Sequence, residues 1–356
     1  AHPHPWGWGG GRAAGYTPAP RPRRSIMVRF IIRRLLGSLG VLIAASIIAF
    51  GIFFLIPSNP AVLYSGRTSS PATIQATKVR LGLNDPAYEQ YYHYMKGIVA
   101  GRDFSSGPGD VNHCPVPCLG YSFKSNQPVT SILWSRLPVT FSIIIGAAVL
   151  WLVSGVAIGV LSALKRGSLT DRGAMVVALL GVSLPVFFTS LILLKLFSYD
   201  WNLLPNVHYV NFADDPLNWA RNLILPWIAL AFLFSALYAR LTRATTLETM
   251  GEDYIRTARA KGLPERTVIG KHTLRAVLTP IITIFGLDLA QGFTGAILTE
   301  KAFGFVGLGQ TAVSAVDQSD LPVVIGVVLL STFMVVIANL VVDLLYGVID
   351  PRVRLS

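Results

Sequence analysis

The sequence predicts an all-α polytopic membrane protein with six transmembrane helices and an external loop domain between helices 1 and 2. Three observations carry that prediction. Of 356 residues, 52% are hydrophobic and only 13% are charged, roughly half the charged fraction of an ordinary soluble domain. Mean hydropathy is +0.55. Apolar runs of about 20 residues, the length needed to cross a hydrocarbon core of about 30 Å, recur six times. Together these exclude a disordered chain, a disulfide-rich scaffold and an ordinary soluble enzyme.

Five of the runs carry no charge at all: 35–56, 137–164, 173–194, 222–239 and 321–342. The sixth, 276–299, is interrupted only by Asp288. None has the length and cleavage pattern of a signal peptide. Pro185, with Ser183 and Thr189 close by, is expected to kink the third run. An even number of crossings leaves both termini on one side. The segments on that side hold 20 of the 30 Lys and Arg residues, so the positive-inside rule puts both termini in the cytoplasm. The net charge of +12 is accounted for by this asymmetry, and nucleic acid is not required as a partner.

Residues 1–26 hold five Pro and five Gly with no apolar periodicity. They read as a disordered extension upstream of the natural start, with Met27-Val-Arg-Phe-Ile-Ile-Arg-Arg as the first membrane-protein sequence. A regulatory tail is the other reading. Residues 27–128 then form the first span plus the external domain. In its loop, Ser70-Pro71 and Asp85-Pro86 each resemble an N-cap followed by proline at the first helical position. After Asp85, Tyr88, Tyr91, Tyr92, Met95, Ile98 and Val99 share one helical face. That face is either a contact surface for a partner or peptide, or a packing surface at the membrane interface, where tyrosine is favoured. Cys114 and Cys118 flank Pro115-Val-Pro117. A disulfide suits an oxidising exterior; free thiols and a metal site with His113 are the alternatives, the last one ligand short of a closed zinc site.

Residues 129–356 carry spans 2–6, with a polar loop at 248–275 between spans 4 and 5. Two short helices are legible in it. The first runs over about 252–261 and is stopped by Gly262, the usual residue just past a helix end. The second starts at Pro264, with Glu265 at its positive dipole end. Small Thr257, Ala258 and Ala260 permit close approach of a partner, and Tyr254, Arg256, Arg259 and Lys261 supply the grip. Within the membrane Asp288 is costly enough to be a functional candidate, either facing a translocation path with Gln291 and Thr294 or hydrogen-bonding to a partner subunit. Gly286, Ala290 and Thr294 recur at four-residue spacing, as at a close helix–helix interface. No nucleophile–base pair is present at a recognisable spacing, so no catalytic residue is expected.

Here a resemblance becomes specific. Asp253-Tyr-Ile-Arg-Thr-Ala-Arg-Ala-Lys-Gly-Leu-Pro-Glu-Arg266 resembles the coupling (EAA) loop of ATP-binding-cassette importer permeases, most closely the dipeptide/oligopeptide branch. Four further matches follow family order: Ile56-Pro-Ser-Asn-Pro60; Leu81-Gly-Leu-Asn-Asp-Pro86 with Gly120-Tyr-Ser122; Thr299-Glu-Lys-Ala-Phe-Gly-Phe-Val-Gly-Leu-Gly309; and Leu344-Leu-Tyr-Gly-Val-Ile-Asp-Pro-Arg352. Arg256 stands where the wider motif has glutamate, Arg275 where many importers have proline, and 105–118 is longer than the family's minimal loop. The resemblance therefore implies no role for the cysteine pair. It implies the type I importer fold in a bacterial inner membrane, with this chain as half of a peptide path. A second homologous permease, two cytoplasmic ATPases and an external peptide-binding protein would complete the assembly. The chain has no Gly-x-x-x-x-Gly-Lys-Ser/Thr phosphate loop, so ATP and Mg would be bound by the ATPase subunits. An ion-coupled secondary transporter using Asp288 is the alternative; it would call for inverted repeats and discontinuous helices, neither of which the sequence displays.

Overall fold

A computed structural model describes residues 24–52, 70–80, 84–107, 110–204 and 208–349. The expected extension up to residue 23, the Ile56–Pro60 stretch and the end of the C-terminal motif lie outside the described residues. Helix α1 (Arg24–Phe50) begins inside the segment assigned to the extension, because Arg24-Ser-Ile leads into Met27 without a Pro or Gly to break it. Helices α2 (Pro71–Arg80) and α3 (Ala87–Ala100) follow. Pro71 opens α2 as expected, whereas at α3 the proline itself, Pro86, is the N-cap and Asp85 caps nothing with its side chain. Strands β1 (Arg102–Gly107) and β2 (Asp110–Cys114) pair antiparallel, as do the two-residue strands β3 (Tyr121–Ser122) and β4 (Gln127–Pro128).

The tyrosine-rich face of α3 divides. Tyr91 lies against α1, its hydroxyl 2.8 Å from Ser46 Oγ and its ring 5.5 Å from Phe50. Tyr94, which the periodicity missed, joins it 6.2 Å from Phe50. Tyr88, Tyr92 and Val99 point away and are exposed. Cys114 and Cys118 are joined as a disulfide, with Cα atoms 5.5 Å apart, while His113 Nδ1 lies 2.6 Å from Asp103 Oδ1 across the β1–β2 ladder.

The membrane part comprises α4 (Val129–Leu164), α5 (Leu169–Ser183), α6 (Val186–Leu193, continued by a π-helical run Leu194–Asp200), α7 (Pro216–Met250), α9 (Leu274–Phe303) and α11 (Leu321–Ile349), with α8 (Asp253–Ala260) and α10 (Leu308–Asp317) as short connectors. Among the described residues, five single helices and one bent pair are long and apolar enough to cross a membrane. The pair is the third run. Leu184 and Pro185 break it, and the second arm is bent by 108° from the direction of the first, a far sharper break than the expected kink. Pro185 removes the amide that would continue the ladder, and Leu184 is already extended. The pair still returns the chain across the membrane, because α4 and α7 run parallel: Gly146, Gly155 and Gly159 face Trp227, Tyr238 and Thr242 in the same order.

These glycines set the core. A Cβ on Gly155 would sit 2.4 Å from Tyr238 Cβ, and one on Gly159 would sit 2.7 Å from the Ala239 carbonyl oxygen, so the two backbones touch, as small residues allow between membrane helices. Around this seam Trp151 is fully buried, its ring 4.5 Å from Phe234 and 6.0 Å from Phe285. A second cluster, Val129 and Leu133 against Leu308, Val323 and Val324, explains why α4 starts eight residues before its apolar run: its polar first turns pack on α10 and α11.

Candidate functional site

Helix α7 has 35 residues, about 52 Å at 1.5 Å per residue, so it outruns the hydrocarbon core and carries the 248–275 loop beyond it. Gly251 and Glu252 then turn the chain into α8. This helix is strongly two-sided. Ile255 and Ala258 are buried against Val268, while Tyr254, Arg256, Thr257, Arg259 and Lys261 are exposed. Ala258 therefore seats α8 on its own chain rather than facing outward.

Gly262 closes α8 with φ +75°. Its N–H donates to the Arg259 carbonyl at 2.9 Å, and the Leu263 N–H donates to the Ala258 carbonyl at 3.4 Å, the paired bonds of a Schellman cap. Arg259 then reaches over the corner to Glu265 in a two-pronged contact, Nη2 to Oε1 at 2.6 Å and Nε to Oε2 at 3.2 Å. This pairing holds the Glu265 carboxyl below its ordinary range. Both groups are exposed, so the pair fixes the geometry of the corner more than the stability of the fold.

The second helix of the loop differs from expectation. Pro264 is its N-cap, with ψ 143°, rather than its first helical residue. After one turn (Glu265–Thr267) the chain becomes a π-helical segment, Val268–Thr273, that runs straight into α9. The loop is thus one free-standing helix joined to the foot of a membrane helix. Gly270 lies in the π-helical segment, where a Cβ would meet nothing within 4 Å.

Within the membrane, Asp288 is half-buried and accepts a hydrogen bond from Tyr238 Oη at 2.8 Å. Gln291 is exposed one turn away; the side chains of Thr294 and Ala290 lie outside the described residues. Gly286 does not face another subunit: a Cβ there would come within 2.2–2.7 Å of Val342 on α11, so its close packing is within this chain. The hydroxyls beside the Pro185 break donate locally, Ser183 Oγ to the Leu179 carbonyl and Thr189 Oγ1 to the Pro185 carbonyl.

Three buried carboxylates escaped the sequence reading; Asp320, before α11, accepts from the Ser122 hydroxyl, and the other two tie distant helices together. Asp171, at the third position of α5, accepts from Arg243 Nε at 2.7 Å, Arg243 Nη2 at 2.9 Å and the Gly167 N–H at 2.9 Å, and from the Ser162 hydroxyl. Glu300, fully buried near the end of α9, accepts from Thr140 Oγ1 at 2.6 Å and from the Gln310 N–H at 2.9 Å. The only local sign of either was Ser168-x-x-Asp171, a capping-box pattern: the Ser168 hydroxyl caps α5 by accepting from the Asp171 N–H at 3.2 Å.

Residues 155–355 match the family described as Binding-protein-dependent transport system inner membrane component. Residues 27–144 match its counterpart, Binding-prot-dependent transport system membrane comp, N-term. Over 352 residues the chain is 37% identical to the dipeptide transport system permease protein of Escherichia coli (strain K12), a match covering 92% of this chain and 99% of that one. It is 36% identical over 348 residues to the protein of the same name from Alkalihalophilus pseudofirmus, covering 92% and 100%.

Proposed function

The chain belongs to the family of binding-protein-dependent transport system inner membrane components, and on that premise we propose that it is the permease half of an ATP-driven importer of short peptides. The peptide class comes from the names of the relatives at 36–37% identity. The observation that carries the coupling assignment is α8: one exposed, basic helix displayed beyond the end of a 35-residue membrane helix and seated by only three buried side chains. Tyr254, Arg256, Thr257, Arg259, Lys261 and Gly262 offer a surface to an ATPase subunit. ATP binding closes the two ATPases, α8 moves with them, and the membrane helices switch from inward-open to outward-open, so that a peptide released by an external binding protein enters the path. This chain binds no nucleotide in that scheme. A second permease completes the path, and Asp288 faces it as a partner for a peptide's ammonium group.

The test is co-expression with the cognate subunits, purification, and reconstitution with binding protein and peptide. Peptide uptake that needs ATP, with hydrolysis stimulated by the loaded binding protein, is the expected result. Uptake driven by an ion gradient without ATP would overturn it in favour of an Asp288-based carrier. In the same system Gly262→Val should leave the protein inserted but uncouple it. A non-glycine residue at φ +75° costs about 1–2 kcal/mol, and a β-branched one more, which unseats the cap and shifts α8. Gly270→Ala should transport normally, and an equal loss in both variants would deny the cap its role.

The charge asymmetry supports a cytoplasmic 248–275 loop, cytoplasmic termini and an external 57–128 domain, where the Cys114–Cys118 disulfide suits an oxidising compartment. A single cysteine introduced at Gly66 in a chain lacking Cys114 and Cys118 should be labelled by an impermeant reagent on intact cells, and one at Ser168 should be spared. The reverse pattern would invert the topology.

A further inference from the structure

The α8 corner needs something to push against. Among the described residues, the two arms of the loop are held very differently. On the α9 side, no ion pair ties α9 to the foot of α7. Thr246 is buried there with a hydroxyl that finds no partner, and an apolar groove of about 540 Å³ lies between α4, Thr246 and the segment from Ile269 to Leu278. On the α7 side the foot is locked. Gly155 and Gly159 bring the α4 backbone onto α7, and a Cβ on Gly181 of α5 would lie 2.9 Å from Ala236 Cβ and from the Phe232 carbonyl oxygen. At that same end Asp171 gathers α4, the α4–α5 turn, α5 and α7 on one carboxylate, through Ser162, Gly167 and both prongs of Arg243.

The Asp171 side chain is 5% exposed and Arg243 26%. A planar guanidinium meeting a carboxylate two-pronged fixes orientation as well as distance. Removing charges from water is costly, so an apolar pair would hold these helices together as well; the ionic pair adds direction. Arg243 lies on α7 seven residues before Met250, the last residue before the turn into α8, and Asp171 sits at the start of the arm that breaks at Pro185. We infer that the Asp171–Arg243 pair is the joint that makes the broken third span move as one body with α7 when α8 is displaced, so that both are positioning residues for transport. The inference rests on the importer reading above and adds to it a path: α8 to α7, across the pair to α5, and along α5 to the Leu184–Pro185 break.

The experiment uses the full reconstituted complex and reads peptide moved per ATP hydrolysed. Asp171→Asn keeps the shape but removes the charge, and Arg243→Lys keeps the charge but removes the fork. Each should assemble within twofold of the unaltered complex and keep its ATP hydrolysis, yet move about tenfold less peptide per ATP. The Asp171→Asn/Arg243→Lys double variant should be no worse than the worse single, since both break one joint. Unchanged peptide per ATP in both singles would overturn the inference. So would loss of assembly in both in proportion to lost uptake, which would make the pair a folding element, and so would a double variant with the product of the single losses. An unaltered complex without ATP-driven uptake sinks the importer reading instead, a result separable from all of these.

Discussion

Gly159→Leu should prevent the chain from accumulating as a folded membrane protein. The first carbon of the new side chain would lie 2.5 Å from Thr242 Cβ and 2.7 Å from the Ala239 carbonyl oxygen. Neither obstacle is the tip of a flexible side chain, so α4 and α7 must separate by more than an ångström along the seam that buries Trp151, Tyr238 and Ile143. Inserting bulk into a packed core costs typically 1–3 kcal/mol, and here the clash is with backbone, so about 3 kcal/mol or more is expected. Separation would also strain the Asp171 hub, which takes Ser162 from α4 and Arg243, the residue after Thr242, from α7. Gly40→Leu is the control: Gly40 is an exposed helical glycine in α1 with nothing within 4 Å of a Cβ, and leucine is the better helix former. Thermal melts of detergent-solubilised protein measure both. A Gly159→Leu midpoint within about 2 °C of the unaltered protein would contradict the seam, since roughly 1 kcal/mol already moves a larger domain by about 2–4 °C.

What could be read from the sequence divides by the range of the interactions involved. Spans 2, 4, 5 and 6 were legible because each is a long apolar run whose backbone must satisfy itself. Gly262 was legible because a positive φ at a helix end is a local demand on one residue. The error at Pro86 and Pro264 is one position, and its source is plain: proline's fixed φ near −60° suits both an N-cap and a first helical residue, and the choice is made by ψ, which the neighbours set. The severity of the Pro185 break was out of reach, since a proline fixes where a ladder fails but the packing of the two arms fixes the angle. Gly286 misled because four-residue spacing marks a packing face without naming its partner, which is Val342 of the same chain. Asp171 and Arg243 are 72 positions apart, and Thr140 and Glu300 are 160 apart. No periodicity joins such pairs. Their charges looked like ordinary loop charge until the helices were in place.

Glu300→Ala should destabilise the C-terminal end of α9 more than any other single truncation of a polar side chain there. Glu300 is fully buried and its two oxygens take the Thr140 hydroxyl and the Gln310 N–H. Thr140 in turn accepts the Leu308 N–H at 2.8 Å, and the Phe305 N–H closes on the Glu300 carbonyl at 2.9 Å. The carboxylate therefore sits at the start of α10, where unpaired helix N–H groups and the dipole favour a negative group. Alanine would strand two buried donors, at about 1–3 kcal/mol each, and leave a cavity where the side chain was. Glu300→Gln separates charge from hydrogen bonding: its amide oxygen can take the Gln310 N–H while its NH₂ donates to the spare lone pair of Thr140, whose own O–H then loses its acceptor. Glutamine strands one donor where alanine strands two and leaves no cavity, so it should retain part of the stability that alanine loses. Gly307→Ala attacks the same hub from the other side, because its Cβ would fall 2.2 Å from Glu300 Oε1 and 2.6 Å from Thr140 Oγ1. Melting and limited proteolysis between Phe303 and Leu308 should rank the three, with Glu300→Ala and Gly307→Ala cut readily and Glu300→Gln the least affected. Glutamine as damaging as alanine would mean that the negative charge at the α10 terminus, rather than the filled set of hydrogen bonds, holds the connection; all three variants intact would mean that the apolar cluster of Leu308, Val323 and Val324 holds it alone.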